Sequence, residues 1–286
     1  MVGMLEYATL DIQEKDLALL AQKIERERDF DCSQFRQAYF RRRVLCRLRA
    51  TGAHDTTRYM ALLDTDAGEW ARLLSALTVN VTGFFRDRPM WDHLRLHVAP
   101  ALIDSKRKRG QSYLRIWSAG CSSGQEAYSL AMLFAGLLEG DDDSIKVRIT
   151  ATDFDRDCLA KGRRGRYTRD EAGGLTRGHL VAYAKAVPEG IQLSPQIMSM
   201  VRFQHDDLFG PGGQRMMDMA LCRNVMMYFS RDQQKQVLCK LRDSLNPGGF
   251  LVLGKSEKLA TSFQADFDYV SLGERIYRKR RLEEAG

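Results

Sequence analysis

The chemistry in this chain starts with six small residues in a row, Ala119-Gly120-Cys121-Ser122-Ser123-Gly124, and an acid at position 153. Ahead of the small run, Leu114, Ile116 and Trp117 form a short buried-strand pattern. Behind it, Ala127, Leu130, Ala131, Leu133, Phe134, Leu137 and Leu138 recur at helical spacing until Gly140 and the acids 141–143. A strand meeting a glycine loop and then a helix is half of a nucleotide-binding α/β unit, because a residue without Cβ lets the backbone turn sharply and approach a ligand. The loop lacks the Lys-Ser/Thr ending of a phosphate cradle, and its GxxxG spacing is not the GxGxxG of dinucleotide binders. It suits a ligand without pyrophosphate, such as S-adenosylmethionine (SAM), whose amino-acid end is small and zwitterionic; the alternative is a plain strand–turn–helix. The next strand, 145–152, alternates apolar and polar residues and ends on Asp153, placed to accept both ribose hydroxyls of an adenosine.

These residues need a scaffold, and 286 residues at 44% hydrophobic content suffice for a real core and two domains. No apolar run approaches the roughly 20 residues that span a bilayer, and the acidic, interrupted N-terminus does not read as a signal peptide, so a cytoplasmic location is expected. The six cysteines are far apart with no CxxC pair, which predicts reduced, structural thiols and neither zinc nor disulfides. A net charge of +7 permits a nucleic-acid partner and equally an acidic protein surface.

The N-terminal part reads as helices without strands. Asp11 and Glu14 have capping-box spacing ahead of a stripe of Leu17, Leu20, Ala21 and Ile24. A second helix is expected over 33–50, stopped by Gly52, with Phe35, Ala38, Leu45 and Leu48 on its buried side. It carries Arg36, Arg41, Arg42, Arg43, Arg47 and Arg49, with no acid from 33 to 54. Such a face is either solvated or a docking surface for something anionic, and the missing acids favour docking. Two more helices are expected over 57–63 and 67–77. His93 and His97 have metal-compatible i, i+4 spacing, but no adjacent acid completes a site and no metal is expected. Lys106-Arg107-Lys108-Arg109-Gly110 reads as part of a basic linker, 96–112, between an all-α domain at 1–95 and an α/β domain at 113–280. In the stretch 78–86, Asn80 and Thr82 would share one side of an extended segment; it is either a connector or a flap over a ligand held by the second domain.

The stretches NVTGFFR (80–86), WSAGCSSGQEAYS (117–129), the strand end at Asp153 and CRNVMMYF (222–229) together resemble the CheR-type chemoreceptor methyltransferases, SAM-dependent protein-glutamate O-methyltransferases. The resemblance runs from the N-terminal helices to about residue 278. It implies an all-α N-terminal domain for substrate docking and a Rossmann-like methyltransferase domain with a mixed seven-stranded sheet, an antiparallel closing pair and a small antiparallel subdomain inserted at about 165–200. The remaining sequence fits: a short helix over 155–163, core strands over 201–204 and 217–222, a helix over 234–245 led by the Ser230/Gln233 capping pair, a strand over 250–253, and last strands near 269–272 and 275–278.

The resemblance also implies residue roles. Asn80, Thr82 and Arg86 reach the cofactor or reaction centre from the N-terminal side. Gly120 belongs to the cofactor loop, Glu126 holds the cofactor's ammonium group and Asp153 its ribose. Asp207 and Leu208 flank the adenine, Arg223 and Asn224 follow strand four, and Tyr228 lines the transfer site. Arg86 and Tyr228 are the catalytic candidates, with Arg86 ahead of Arg223 as the group that orients an incoming carboxylate through two hydrogen bonds. The docking candidates are Arg36, Arg41, Arg42, Arg43 and Arg47. The implied partners are the methylation helices of transmembrane chemoreceptors, approached by a monomer, and the product is S-adenosylhomocysteine. Gln125-Glu126-Ala127 departs from the family's two acids and a proline, and the turn at Pro188-Glu189-Gly190 is short, so a tethering peptide from a receptor C-terminus is not expected. The rivals are a SAM methyltransferase of nucleic acid, for which no NPPY-like motif is present, and a noncatalytic SAM-binding signalling module.

Overall fold

The structure is a computed structural model that describes residues 12–78, 82–140 and 145–281. The chain divides into two compact units, one made of residues 1–80 with 228–233, the other of 81–227 with 234–286.

The first unit contains α1 (Glu14–Arg28), α2 (Gln37–Thr51), α3 (Thr56–Thr65) and α4 (Ala67–Thr78). In α1 the stripe Leu17, Leu20, Ile24 is buried, as its spacing predicts. Of its expected capping pair, Asp11 lies outside the described residues. The second helix starts at Gln37, not at 33. Asp31 accepts the Ser33 N–H at 2.7 Å and caps a short 3-10 turn, Cys32–Gln34, after which Phe35 is extended and bridges to Phe229. The buried side of α2 is Tyr39, Phe40, Val44 and Leu48, whereas Ala38 is exposed and Leu45 half-buried. The two aromatic rings have the larger apolar area to remove from water, and they set the face. Gly52, at φ 70°, ends the helix in the left-handed conformation open to a residue without Cβ.

The second unit begins with a turn at 82–87 and α5 (Arg88–His93). A π-helical turn, Leu94–Val98, then leads into α6 (Ala99–Lys108). The 96–112 stretch is therefore mostly helix, not a linker. Leu94, Val98 and Leu102 repeat every four residues and are buried, and even Lys106 turns inward to pair with Asp218 at 2.8 Å. The break between units falls after residue 80 rather than at 95.

The sheet that follows is built from β1 (Tyr113–Ala119), β2 (Lys146–Asp153), β6 (Val201–His205), β7 (Met217–Cys222), β8 (Leu245–Leu253), β9 (Phe267–Ser271) and β10 (Ile276–Lys279), in the order β6-β2-β1-β7-β8-β10-β9. All pairs are parallel except those of β10, which runs antiparallel to both β8 and β9. β7 is buried along its whole length and β1 nearly so, the signature of central strands covered on both faces. Between β2 and β6 come α8 (Arg156–Arg164), a small antiparallel sheet of β3 (Arg166–Tyr167), β5 (Gly190–Leu193) and β4 (Ala184–Val187) with α9 (Arg177–Tyr183), and α10 (Pro195–Ser199). The mixed sheet, its closing pair and the inserted subdomain match the expected architecture. The helix expected over 234–245 is α11 (Arg231–Ser244), with Ser230 and Gln233 exchanging capping hydrogen bonds at 3.2 and 3.4 Å.

Candidate functional site

The chain runs outward from β1 through β2 to β6, then returns to the other side of β1 with β7. That reversal opens a crevice beyond the carboxyl ends of β1 and β7, where ligands bind in open α/β sheets.

The loop 120–124 leaves β1 for α7 (Gln125–Leu137) and is fixed from several directions. Gly120 and Cys121 donate their N–H groups to Thr152 O at 2.8 and 2.9 Å, Ser122 N donates to Asp153 Oδ2 at 2.7 Å, and the Tyr167 hydroxyl donates to Ser123 O at 2.7 Å. Gly120 has φ 73°, and a Cβ there would lie 2.5 Å from a Val225 methyl, so the position excludes other residues twice over. The buried Cys121 thiol is pushed far above its ordinary pKa by desolvation, which leaves it inert.

Asp153, at the end of β2, accepts backbone N–H groups from Asp155 at 2.9 Å and from Ser122. Burial raises its pKa, and these bonds only partly offset that rise. A carboxylate has about four acceptor positions, so capacity remains for an incoming hydroxyl. Asp206 N donates to Asp153 O at 3.2 Å, which brings the 206–208 loop beside the same strand end. There Asp207 Oδ1 accepts Phe209 N at 2.9 Å, and Leu208 is half-buried.

Glu126 sits in the first turn of α7, where unpaired N–H groups favour an anion. One oxygen accepts Ser118 Oγ at 2.8 Å, and the other accepts Arg223 Nη1 at 3.1 Å. The side chain of Arg223, just past β7, is 3% exposed. Its Nη2 donates to Asp87 Oδ2 at 2.8 Å and to Arg86 O at 3.1 Å. A single guanidinium thus joins the first turn of α7 to the 82–87 turn across the sheet's switch point. Both terminal nitrogens of Arg223 are engaged in this way. The carbonyl of Arg86 also accepts the Trp91 indole N–H at 2.9 Å, while its side chain is exposed. The turn is strained, with Phe85 at φ 48° and Asp87 at φ 64°, and it is held by Phe85 N donating to Ser129 Oγ at 3.0 Å and by Phe85 stacking on His179 at 4.5 Å.

Sequence reasoning missed two acids here. Asp87 is the second carboxylate on Arg223. Glu257, 4% exposed, accepts N–H groups from Asn224, Val225, Met226 and Gly254 at 2.7 to 3.0 Å. It shapes the bend in which Asn224 takes φ 60°.

Not every expected residue belongs to this constellation. Thr82 is half-buried in the second unit, and Asn80 lies outside the described residues. Tyr228 belongs to the helical unit, its ring centroid 4.7 Å from that of Tyr39. Among the expected docking residues, Arg36 Nε donates to Phe229 O at 3.2 Å, Arg41 to Ile12 O, and Arg43 Nε to Ala76 O at 2.5 Å. Arg47 is a structural residue, because it grips the buried Glu69 by two bonds of 2.9 and 2.7 Å. His93 and His97 face each other at 4.8 Å, and among the described residues no group of side chains could hold a metal. No helix among them is long and apolar enough to cross a membrane.

A constellation that offers a glycine loop, an acid in the following helix and an acid at the next strand end fits SAM: a small loop, a carboxylate for an ammonium group and a carboxylate for a ribose. Residues 80–276 match the family described as "CheR methyltransferase, SAM binding domain", and residues 15–78 match "CheR methyltransferase, all-alpha domain". The chain is 29% identical over 266 residues to a chemotaxis protein methyltransferase of Listeria monocytogenes, covering 93% of this chain and 98% of that one. It is 34% identical to the Escherichia coli protein of the same description, over 76% and 75% of the two chains. A chemotaxis protein methyltransferase 1 of Pseudomonas aeruginosa is 37% identical over 65% and 69%.

Proposed function

Since this chain belongs to the CheR methyltransferase family, we propose that it esterifies glutamate side chains in the methylation helices of chemoreceptors. It is a SAM-dependent methyltransferase of chemotaxis. The observation that carries the finer reading is the Glu126–Arg223–Asp87 bridge, with the exposed Arg86 side chain on the same turn.

When bound, SAM supplies an electrophilic methyl group on a cationic sulfonium. Glu126 holds its ammonium group, Asp153 its ribose, and Asp207 and Leu208 flank its adenine. Arg223 keeps Glu126 aimed. The substrate needs no general base: a glutamate of pKa about 4.3 is more than about 99% ionised at pH 7, so the nucleophile arrives ready-made. The protein's remaining task is alignment and exclusion of water. Arg86, its backbone pinned and its guanidinium exposed, orients the incoming carboxylate.

The test is transfer of labelled methyl from SAM to receptor-containing membranes. Glutamyl esters release methanol in mild base, methylated nucleic acid does not, and a sensor transfers nothing. Arg86→Ala should lower receptor kcat/KM by about a hundredfold, the usual cost of a misplaced reacting group. Unchanged turnover removes Arg86 from the mechanism.

A further inference from the structure

The amino ends of the same strands carry a second concave site. A cavity of about 700 Å3 opens between the C-terminal end of α6, the start of β1 and the Asn246-Pro247-Gly248-Gly249 segment of β8. β1 is seven residues long, so this cavity lies roughly 20 Å from the crevice at the carboxyl ends.

Its floor is neutral. Asp218, the acid in the lining, pairs with Lys106 at 2.8 Å and also accepts Asn246 Nδ2 and Arg115 N, each at 2.9 Å. Its walls are not neutral, because Arg109, Arg115 and Arg281 also line it. Among the described residues, the guanidinium of neither Arg109 nor Arg281 has a hydrogen-bond or ion-pair partner, and the Arg115 guanidinium has only the Met216 sulfur at 3.8 Å. The Nε of Arg281 is buried without a partner among the described residues. Near the end of α6, Lys106 O accepts the Arg109 and Gln111 N–H groups at 3.2 and 2.9 Å and Arg107 O accepts that of Gly110 at 3.0 Å, so these two carbonyls are already engaged. Tyr113, 37% exposed with the Arg148 guanidinium 4.3 Å from the centre of its ring, and Met216, 62% exposed, add an aromatic and a polarisable apolar surface at the rim.

We propose that this cavity binds a nucleoside diphosphate, its phosphates held by Arg109, Arg115 and Arg281 and its base lying against Tyr113 and Met216. Guanidinium groups match phosphate oxygens bidentately, the volume suits a nucleotide and far exceeds a single phosphate, and bases stack on aromatic rings. The inference goes beyond methyl transfer and does not rest on it.

Titration calorimetry on the full chain, saturated with S-adenosylhomocysteine, tests it with ADP and with pyrophosphate as probes. ADP should bind at one site, and Arg109→Glu and Arg281→Ala should each weaken it roughly tenfold. Arg109 is exposed at a helix end, so that variant should melt with the parent. No heat with ADP, equal affinity in the double variant, or ADP binding that is seen only when S-adenosylhomocysteine is left out overturns the site. Pyrophosphate binding as tightly as ADP overturns the contact with the base.

Discussion

Glu257 is where one side chain does the most for the candidate site. Four backbone N–H groups converge on its carboxylate, and three of them belong to the bend that follows Arg223. Burial pushes its pKa above the ordinary glutamate value, and the four N–H bonds only partly offset that. A group whose folded pKa is raised contributes stability below its unfolded value and loses it as pH rises through the folded one, so the carboxylate is tolerated for its geometry. Glu257→Gln leaves one oxygen for four donors and turns an amide N–H2 toward the rest. The variant should lose at least about 2 kcal/mol, a Tm drop of about 5 °C, and bind S-adenosylhomocysteine more weakly. An unchanged melting curve would show that the bend holds itself. The glycine loop was legible because small residues between a strand period and a helix period are a local pattern. Glu257 and Asp87 were not, because the bend at 224–226 and Arg223, which they meet, stand more than thirty residues away and nothing local marks an acid that will meet them.

At the scale of elements, α2 shows both how far a charge pattern can be read and where it misleads. Its arginine run with no acid suggested one cationic face, yet the balancing acid, Glu69, comes from α4. Burial pushes Glu69 up, and hydrogen bonds from Arg47, Arg72 and Tyr59 outweigh it, leaving the pKa below the ordinary value near 4.5. A depressed carboxyl stabilises the fold above its unfolded pKa and loses that as pH falls through the folded one. Acid below about pH 4.5 should therefore loosen the helical unit, followed by Trp70 fluorescence. Arg47→Ala should cost about 2 kcal/mol at pH 7 and flatten that acid dependence. Arg42 is the opposite case: it is exposed, beside a groove lined by Ala38 and Leu45. If receptor helices dock there, Arg42→Glu should leave Tm unchanged while reducing receptor methylation and its sensitivity to salt, since screening acts over about 8 Å at physiological ionic strength. A fall in Tm with unchanged methylation would make α2 a purely structural helix.

The whole molecule has a boundary in sequence that is not its boundary in space. Two units were expected from the switch of helix-only to alternating strand and helix patterns, and two are present, but the helical unit also takes residues 228–233 from within the sequence of the other. No periodicity reveals this. Six residues that join the end of a 3-10 turn, one bridged residue and the first turn of α11 have too little pattern, and their anchors are a bridge from Phe35 to Phe229, Arg36 N to Tyr228 O at 3.1 Å and Ser230 N to Gln34 O at 3.4 Å. Phe229 is 6% exposed, among Phe35 and its neighbours. A fragment beginning at residue 81 therefore cannot be a clean domain, since it carries this strip without the helices that bury it. Stripping Phe229 of its cover exposes an aromatic worth about 2–3 kcal/mol of burial, and the backbone groups of 228–230 lose their partners as well. The fragment should melt below the full chain and associate through the uncovered strip, and Phe229→Ser within the fragment should suppress the association while lowering Tm in the full chain. A fragment that stays monomeric and melts with the full chain would show that 228–233 folds without the helical unit.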